Sequence, residues 1–343
     1  MKYIKGFDGL RGLSILMVLQ THLGFGSKLF EYDFITVRTW MLFSGNTGVQ
    51  IFFTLSGFLI TSILLSEKLK HKVSLKNFYI RRFLRLLPPL IIFYVIIALL
   101  MKFDLISYSL AGFAYSFFYL YNFVPKEFYI SELGHTWSLA VEEQFYLTWP
   151  FIIYYLKTKS IVAITLFVIL LCTLFLIVYN EFEFIKNGFN PLRWFIPAVG
   201  PVIIGSLLAI VNSSFSSLKS FLKPNIYLFP MSILLFLCPL YLPNSLLLGA
   251  YLIQSLGVAL FLLWIFHNQD SVLVSILNFK YLNYIGKISY GLYVFQGLFL
   301  RTGPGGTLSF QQFPYHILFT FIVAILSYEL IEKRVLKLKV HFK

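Results

Sequence analysis

The sequence predicts an all-α fold: a polytopic membrane helical bundle of about ten transmembrane helices, with one re-entrant or interfacial segment. Three observations carry this. Of 343 residues, 58% are hydrophobic and only 12% are charged, where a soluble domain averages about 25% charged. The mean hydropathy is +0.80, and apolar runs long enough to span a bilayer recur from end to end. Aromatic residues reach 19%, with 39 Phe and 22 Tyr, as belts at two membrane interfaces require.

The expected spans are 8–25, 46–66, 84–102, 136–156, 160–179, 193–211, 226–241, 246–266, 284–301 and 313–331. Lys2 and Lys5 ahead of an apolar stretch imitate a signal peptide. No small-residue cleavage site follows and polar residues interrupt the stretch, so it reads as an uncleaved first span. An eleventh apolar stretch, "LISYSLAGFAYSFFYLYNF" at 105–123, is aromatic and rich in Ser and Tyr. Counting it as a span would invert everything after it, so it is the re-entrant or interfacial segment.

Charge sets the orientation. The formal net charge is +14. The basic residues fall in loops between spans, with no basic and aromatic surface that would bind nucleic acid. With the N-terminus inside, the outer side keeps seven cations: Lys28, Arg38, Lys102, Lys126, Lys186, Arg193 and Arg301. The other 21, including those of "KSFLK" at 219–223, lie inside, as the positive-inside bias requires. Both termini are therefore expected in the cytoplasm. Residues 1–343 read as one integral-membrane domain with no fused soluble domain. Cys172 and Cys238 sit in apolar runs without metal-ligand spacing and read as small core residues; no metal is expected.

The first span, "GLRGLSILMVLQTH", carries Arg11 and His22. Eleven helical steps are three turns plus about 20°, so both face one way, about 16 Å apart along the axis. Arg11 lies near the inner surface, where it can snorkel or pair with Asp8. His22 is deep or toward the outer side. It is either a hydrogen-bonded core histidine or part of a polar stripe facing a water-filled interior.

The fourth span opens with "GHTWSLAVEEQFYLTWP". His135, Ser138 and Glu142 share a helix face, and Tyr146 continues it; Glu143 points about 100° away. Glu142 admits two readings: it orients a histidine base, or it makes a structural bond to a Tyr or Arg of another helix. On the inner side, "NFYIRRFLRLLPP" puts Arg81, Arg82 and Arg85 on about one turn. Such a cluster suits phosphates, and it equally suits anchoring at lipid headgroups. Pro88 and Pro89 predict a kink or a helix start. In "NTGVQIFFTLSGFLIT", Ser56-Gly57 allows close helix packing or a bend; Ser56 has no adjacent base and is a candidate hydrogen-bond donor to a ligand.

Read together, these stretches resemble the integral-membrane acyltransferase 3 family, bacterial enzymes that O-acylate surface carbohydrates. The resemblance rests on "FDGLRGLSILMVLQTH", "GVQIFFTLSGFLIT", "FYIRRFLR", "GHTWSLAVEEQFYLTWP", "ISYGLYVFQ" and "YELIEKRVLKL", in that order over residues 7 to 338. It implies about ten spans in the bacterial cytoplasmic membrane and a cytoplasmic acyl-CoA donor, usually acetyl-CoA. The acceptor would be a hydroxyl of an envelope glycan or lipid-linked sugar, such as O-antigen, exopolysaccharide or peptidoglycan. It implies that Arg11 and His22 are the essential pair and that Glu142, with Glu143 beside it, supplies the acidic motif. Arg81, Arg82 and Arg85 would be the donor-binding basic motif, with Trp137 and Ser138 framing the acidic one; His135 and Ser56 are further candidate substrate contacts.

Two positions depart from the family pattern: Gln50 stands where Asp is frequent, and Gln296 where His is frequent. The implied scheme has the arginines holding the donor's phosphates while the thioester reaches His22. That histidine, oriented by Glu142, would deprotonate the acceptor hydroxyl. A polytopic transporter or permease of a small anionic or glycan substrate is the alternative, and consumption of acetyl-CoA by the purified protein separates the two.

Overall fold

In hydrocarbon the backbone must satisfy its own N–H and C=O groups, and a helix does so within one segment. Each of the ten expected apolar stretches accordingly contains helix in the computed structural model, which describes residues 3–24, 34–71, 74–181, 190–214, 227–243, 247–303 and 306–342. The helices are α1 Phe7–His22, α2 Phe34–Leu42, α3 Gly45–Leu69, α4 Leu75–Lys102, α5 Leu110–Phe117, α6 Thr136–Tyr155, α7 Thr158–Glu181 and α8 Phe195–Ala198. They continue as α9 Gly200–Ser214, α10 Leu228–Leu237, α11 Leu247–His267, α12 Val272–Leu277, α13 Lys280–Phe299, α14 Tyr315–Ser327 and α15 Lys333–Lys337. A π-helical turn, Tyr328–Glu332, joins the last two. There is no strand among the described residues.

Among the described residues, five stretches are long and apolar enough to cross a membrane: Arg38–Leu69, Leu75–Lys102, Thr158–Tyr179, Gly249–His267 and Tyr315–Phe342. Helices α1, α6 and α13 are not among them; these three carry most of the polar residues of the site, and α3 and α4 carry the rest. The Arg38–Leu69 window is 72% buried and that of Thr158–Tyr179 only 22%, so α3 is central and α7 peripheral. Helix α1 packs between α3 and α13.

Two close approaches hold this centre together. A Cβ on Gly57 of α3 would lie 1.8 Å from the Val202 carbonyl of α9, and one on Gly205 would lie 2.1 Å from the Thr54 carbonyl. On the other side, a Cβ on Gly286 of α13 would lie 1.7 Å from the Asp8 carbonyl of α1. Small residues let backbones touch where lipid supplies no hydrophobic drive.

One face of the bundle gathers both ends of the chain. Lys68 Nζ donates to the Ile153 and Leu156 carbonyls at 2.6 Å, capping the C-terminus of α6. Arg81 pairs with Glu67 at 2.8 Å and donates to the Phe342 carbonyl at 2.8 Å. Near the other terminus, Asn283 donates to Tyr3 at 2.9 Å and the Lys5 amide to Gln269 at 2.9 Å. At the opposite face the Gly45 amide donates to Thr21 Oγ1 at 2.7 Å.

The segment 105–123 forms the eight-residue helix α5, about 12 Å long, and a 3-10 turn at Tyr121–Phe123, both too short to cross. Ser109 caps α5 by accepting from the Gly112 amide, and Tyr108, Phe117 and Phe118 stay exposed. The prolines neither start nor end a helix: α4 begins at Leu75, capped by Ser74, and runs through Pro88 and Pro89. Three of the expected outer cations do not act as surface anchors. Arg38 is buried and donates to backbone carbonyls, Arg193 lies over the Trp137 ring, and Arg301 pairs with Glu132 at 2.8 Å. Lys2, Lys28, Lys72, Lys186, residues 219–223 and Lys343 lie outside the described residues.

The glycine contacts give a contrast. Gly57→Ala pushes a methyl into backbone and destabilises the protein by about 1–3 kcal/mol. Gly249→Ala, where nothing lies within 4 Å, leaves stability within about 0.5 kcal/mol. Thermal unfolding in detergent reads both.

Candidate active site within the helical bundle

Helix α1 presents Arg11 and His22 along one line, and α13 answers with a line of its own. Ser289, Tyr293 and Gln296 sit at i, i+4 and i+7, one helix face. Arg11 Nε is 3.4 Å from Ser289 Oγ, and the His22 ring lies beside the Gln296 amide. The two helices run in the same direction, so the polar stripes meet along their length.

Against this seam lies a cavity of about 830 Å³, lined by Arg11, Ser56, Arg82, Arg85, Glu142 and Tyr146, with Ser138, Ser289, Tyr290 and Tyr293. The Tyr146 hydroxyl donates to Glu142 at 3.2 Å and shares a 2.7 Å hydrogen bond with Ser56. The Arg82 guanidinium lies 4.8 Å above the Tyr146 ring centroid. Arg11 and Arg82 both act electrostatically on Glu142, and Glu143 sits beside Glu142 and Arg82. Six of the eleven residues singled out in the sequence therefore converge: Arg11, Ser56, Arg82, Arg85, Ser138 and Glu142.

The others are placed differently. Arg81, expected with its two neighbours, is engaged by Glu67 and the C-terminal carbonyl and does not line the cavity. His22 is not in its wall either. Its Nδ1 donates to the Val18 carbonyl at 3.0 Å, one turn back. That carbonyl, and not Glu142, fixes the ring and leaves Nε2 as the lone-pair nitrogen. Glu142 instead accepts from Tyr146, one turn along its own helix. His135 is buried between Phe93 and Tyr293, with ring centroids at 5.4 and 5.5 Å.

Trp137 lines a second, wider chamber of about 1460 Å³ with Gln50, Asn46, Thr47, Asn190, Arg193 and Gln254. Val49 borders both chambers. A hydrogen bond between Ser138 and Tyr293 crosses from α6 to α13 in the wall of the first. Arg193, in the wall of the second chamber, also acts electrostatically on His22.

Sequence reasoning missed Ser289 and Tyr293, although their helical spacing within "ISYGLYVFQ" was a usable signal. It also missed Arg193 and Lys339. Lys339 acts electrostatically with Arg11, Arg81, Arg82 and Arg85; nothing local in the sequence marks it. Among the described residues no three His, Cys, Asp or Glu side chains gather as a metal site requires.

Comparison with known proteins follows this geometry. Residues 4–328 match the family described as "Acyltransferase domain". The chain is 29% identical over 366 residues to the O-acetyltransferase OatA of Staphylococcus aureus, covering 98% of this chain and 58% of that protein. It is 31% identical over 384 residues to the peptidoglycan O-acetyltransferase OatA of Listeria monocytogenes, covering 98% of this chain and 56% of that protein. The chain thus spans little more than half the length of these relatives. No solved structure matches it. With the match running through every helix of the two chambers, the chain belongs to this family of acyltransferases.

Proposed function

We propose that the protein is a membrane-bound O-acetyltransferase that moves an acetyl group from cytoplasmic acetyl-CoA to a hydroxyl of a cell-wall glycan. Peptidoglycan is the first acceptor to test, because the relative in Listeria bears that name. The observation that carries the reading is the convergence of Arg11, Arg82 and Arg85 on one cavity wall, with His22 further along the same stripe. In this reading all ten apolar stretches cross or enter the membrane, segment 105–123 rests at an interface, and both termini face the cytoplasm.

The first chamber would open to the donor. Three guanidiniums, with Lys339 nearby, match a ligand carrying several phosphates. The thin thioester arm would run along the hydroxyl-lined wall of Ser56, Ser138, Ser289 and Tyr293. The second chamber, lined by amides, a hydroxyl, Trp137 and Arg193, would take the sugar, whose hydroxyl approaches His22 from that side. His22 Nε2 accepts the hydroxyl proton as the acceptor oxygen bonds to the acyl carbon. The carbon–sulfur bond breaks, the thiolate leaves with the electron pair, and the imidazolium returns the proton to it. Glu142 in this scheme is a positioning residue: with Tyr146 it holds Arg82, and its charge offsets Arg11.

Purified protein in detergent, given acetyl-CoA and solubilised peptidoglycan fragments, tests the reading. His22→Ala lowers kcat by about 100- to 10,000-fold with unchanged membrane insertion; wild-type turnover in that variant overturns it. Arg85→Gln acts on binding instead, raising the KM for acetyl-CoA by about 10- to 100-fold, the loss of one charge-assisted contact of about 1.5–3 kcal/mol. Arg81→Gln serves as its internal comparison, because that side chain is engaged outside the cavity.

A further inference from the structure

Gln296 is fully buried, yet neither its amide nitrogen nor its amide oxygen has a hydrogen-bond partner. A buried polar atom without a partner has lost its bonds to water for nothing in return, and folded proteins keep few of them. The side chain lies against the His22 ring, close enough to act on it. It stands one helical turn beyond Tyr293 on the same face of α13, about 4.5 Å further along the axis. Tyr293 lines the first chamber. Gln296 and His22 line neither chamber; a linear group from the first chamber would reach both by continuing past Tyr293 along this face.

The neighbourhood holds the amide in place. A Cβ on the adjacent Gly297 would lie 2.2 Å from Cε1 of His135, so the backbone there has no room to shift. His135 is itself buried, with the backbone of Glu132 and Val294 beside its ring. An amide left open inside a tightly packed seam is what a transient ligand would complete.

We infer that the Gln296 amide N–H is the oxyanion donor of the transfer, bonding to the acyl carbonyl oxygen of the thioester as negative charge builds on it. The inference rests on the reading of His22 as the base. As the acceptor oxygen adds to the acyl carbon and its proton passes to His22 Nε2, the carbonyl π pair moves to that oxygen and is held by Gln296. It returns as the carbon–sulfur bond breaks and the thiolate departs. A neutral amide suits this place, since it donates in every protonation state of its surroundings.

The test uses the purified full chain, acetyl-CoA and solubilised peptidoglycan fragments, and compares Gln296→Leu, Gln296→Glu and His22→Ala. Thiol release gives kcat and KM, and thermal unfolding gives stability. Gln296→Leu is expected to lower kcat by about 100- to 1,000-fold and to leave the KM for acetyl-CoA within about threefold. Its unfolding midpoint stays level or rises, because an apolar side chain replaces an orphaned amide. Gln296→Glu keeps the shape and removes the donor when ionised, so it loses kcat as well and covers the case in which the leucine variant fails to fold. A kcat within about threefold of wild type in either folded variant overturns the inference. So does a lowered midpoint with unchanged kcat per folded molecule, which makes the amide structural. Loss of turnover in His22→Ala beside normal turnover in Gln296→Leu removes this inference alone; normal turnover in His22→Ala removes the base reading beneath it.

Discussion

Placing an arginine in a membrane helix costs about 2.5–3.5 kcal/mol on insertion scales, and a histidine on the same stripe adds to the demand for polar company. The seam between α1 and α13 answers that demand, and the site is built around it. Arg11 finds Ser289, and His22 finds Gln296 one level up. The approach depends on Gly286, whose missing side chain lets α13 lie directly on the α1 backbone at Asp8. A helix of 16 residues carrying such groups is a poor membrane span by itself. Enclosed between α3 and α13 it becomes the axis of the molecule.

That arrangement leaves an imbalance of charge on one side of the seam. Arg11, Arg82, Arg85 and Lys339 influence one another, with Asp8, Glu142 and Glu143 acting against them and Glu332 acting on Arg85. Cations gathered in a partly desolvated place repel, and an anion entering among them relieves the repulsion. The wider chamber has a different character: amides, a tryptophan and one arginine. Two chambers of unlike chemistry sharing one wall suit two substrates of unlike chemistry that must meet but enter from different sides.

Much of the fold was legible because hydropathy reports burial in lipid directly, and all ten apolar stretches contain helix. The depth of Arg11 relative to His22 was legible too, since helix rise is fixed. What rotation each helix adopts was not. Arg81, Arg82 and Arg85 are equivalent in sequence, yet the turn of α4 about its axis gives Arg82 and Arg85 to the cavity and Arg81 to Glu67. The same limit misassigned the partner of His22: comparable depth placed Glu142 near it, while the orientation of α6 aims that carboxylate at Tyr146 and the arginines. Of the two readings of Pro88 and Pro89, a helix start does not occur: α4 begins at Leu75 and contains both. Tyr290 of α13 donates to the Leu86 carbonyl beside them at 3.1 Å. Arg193 looked like an outer-loop charge because nothing in a linear sequence tells a loop that folds inward from one that does not.

The central claim is that one continuous polar seam carries a thioester from the arginines to His22. Its most direct test is a cryo-electron microscopy map of the protein with a non-reactive thioether analogue of acetyl-CoA. The account predicts phosphate density against Arg82 and Arg85, the arm passing Tyr293, and the acyl end beside His22 and Gln296 with room for one hydroxyl. Phosphate density in the wider chamber instead, or an imidazole turned toward lipid and sealed from the ligand, would contradict it.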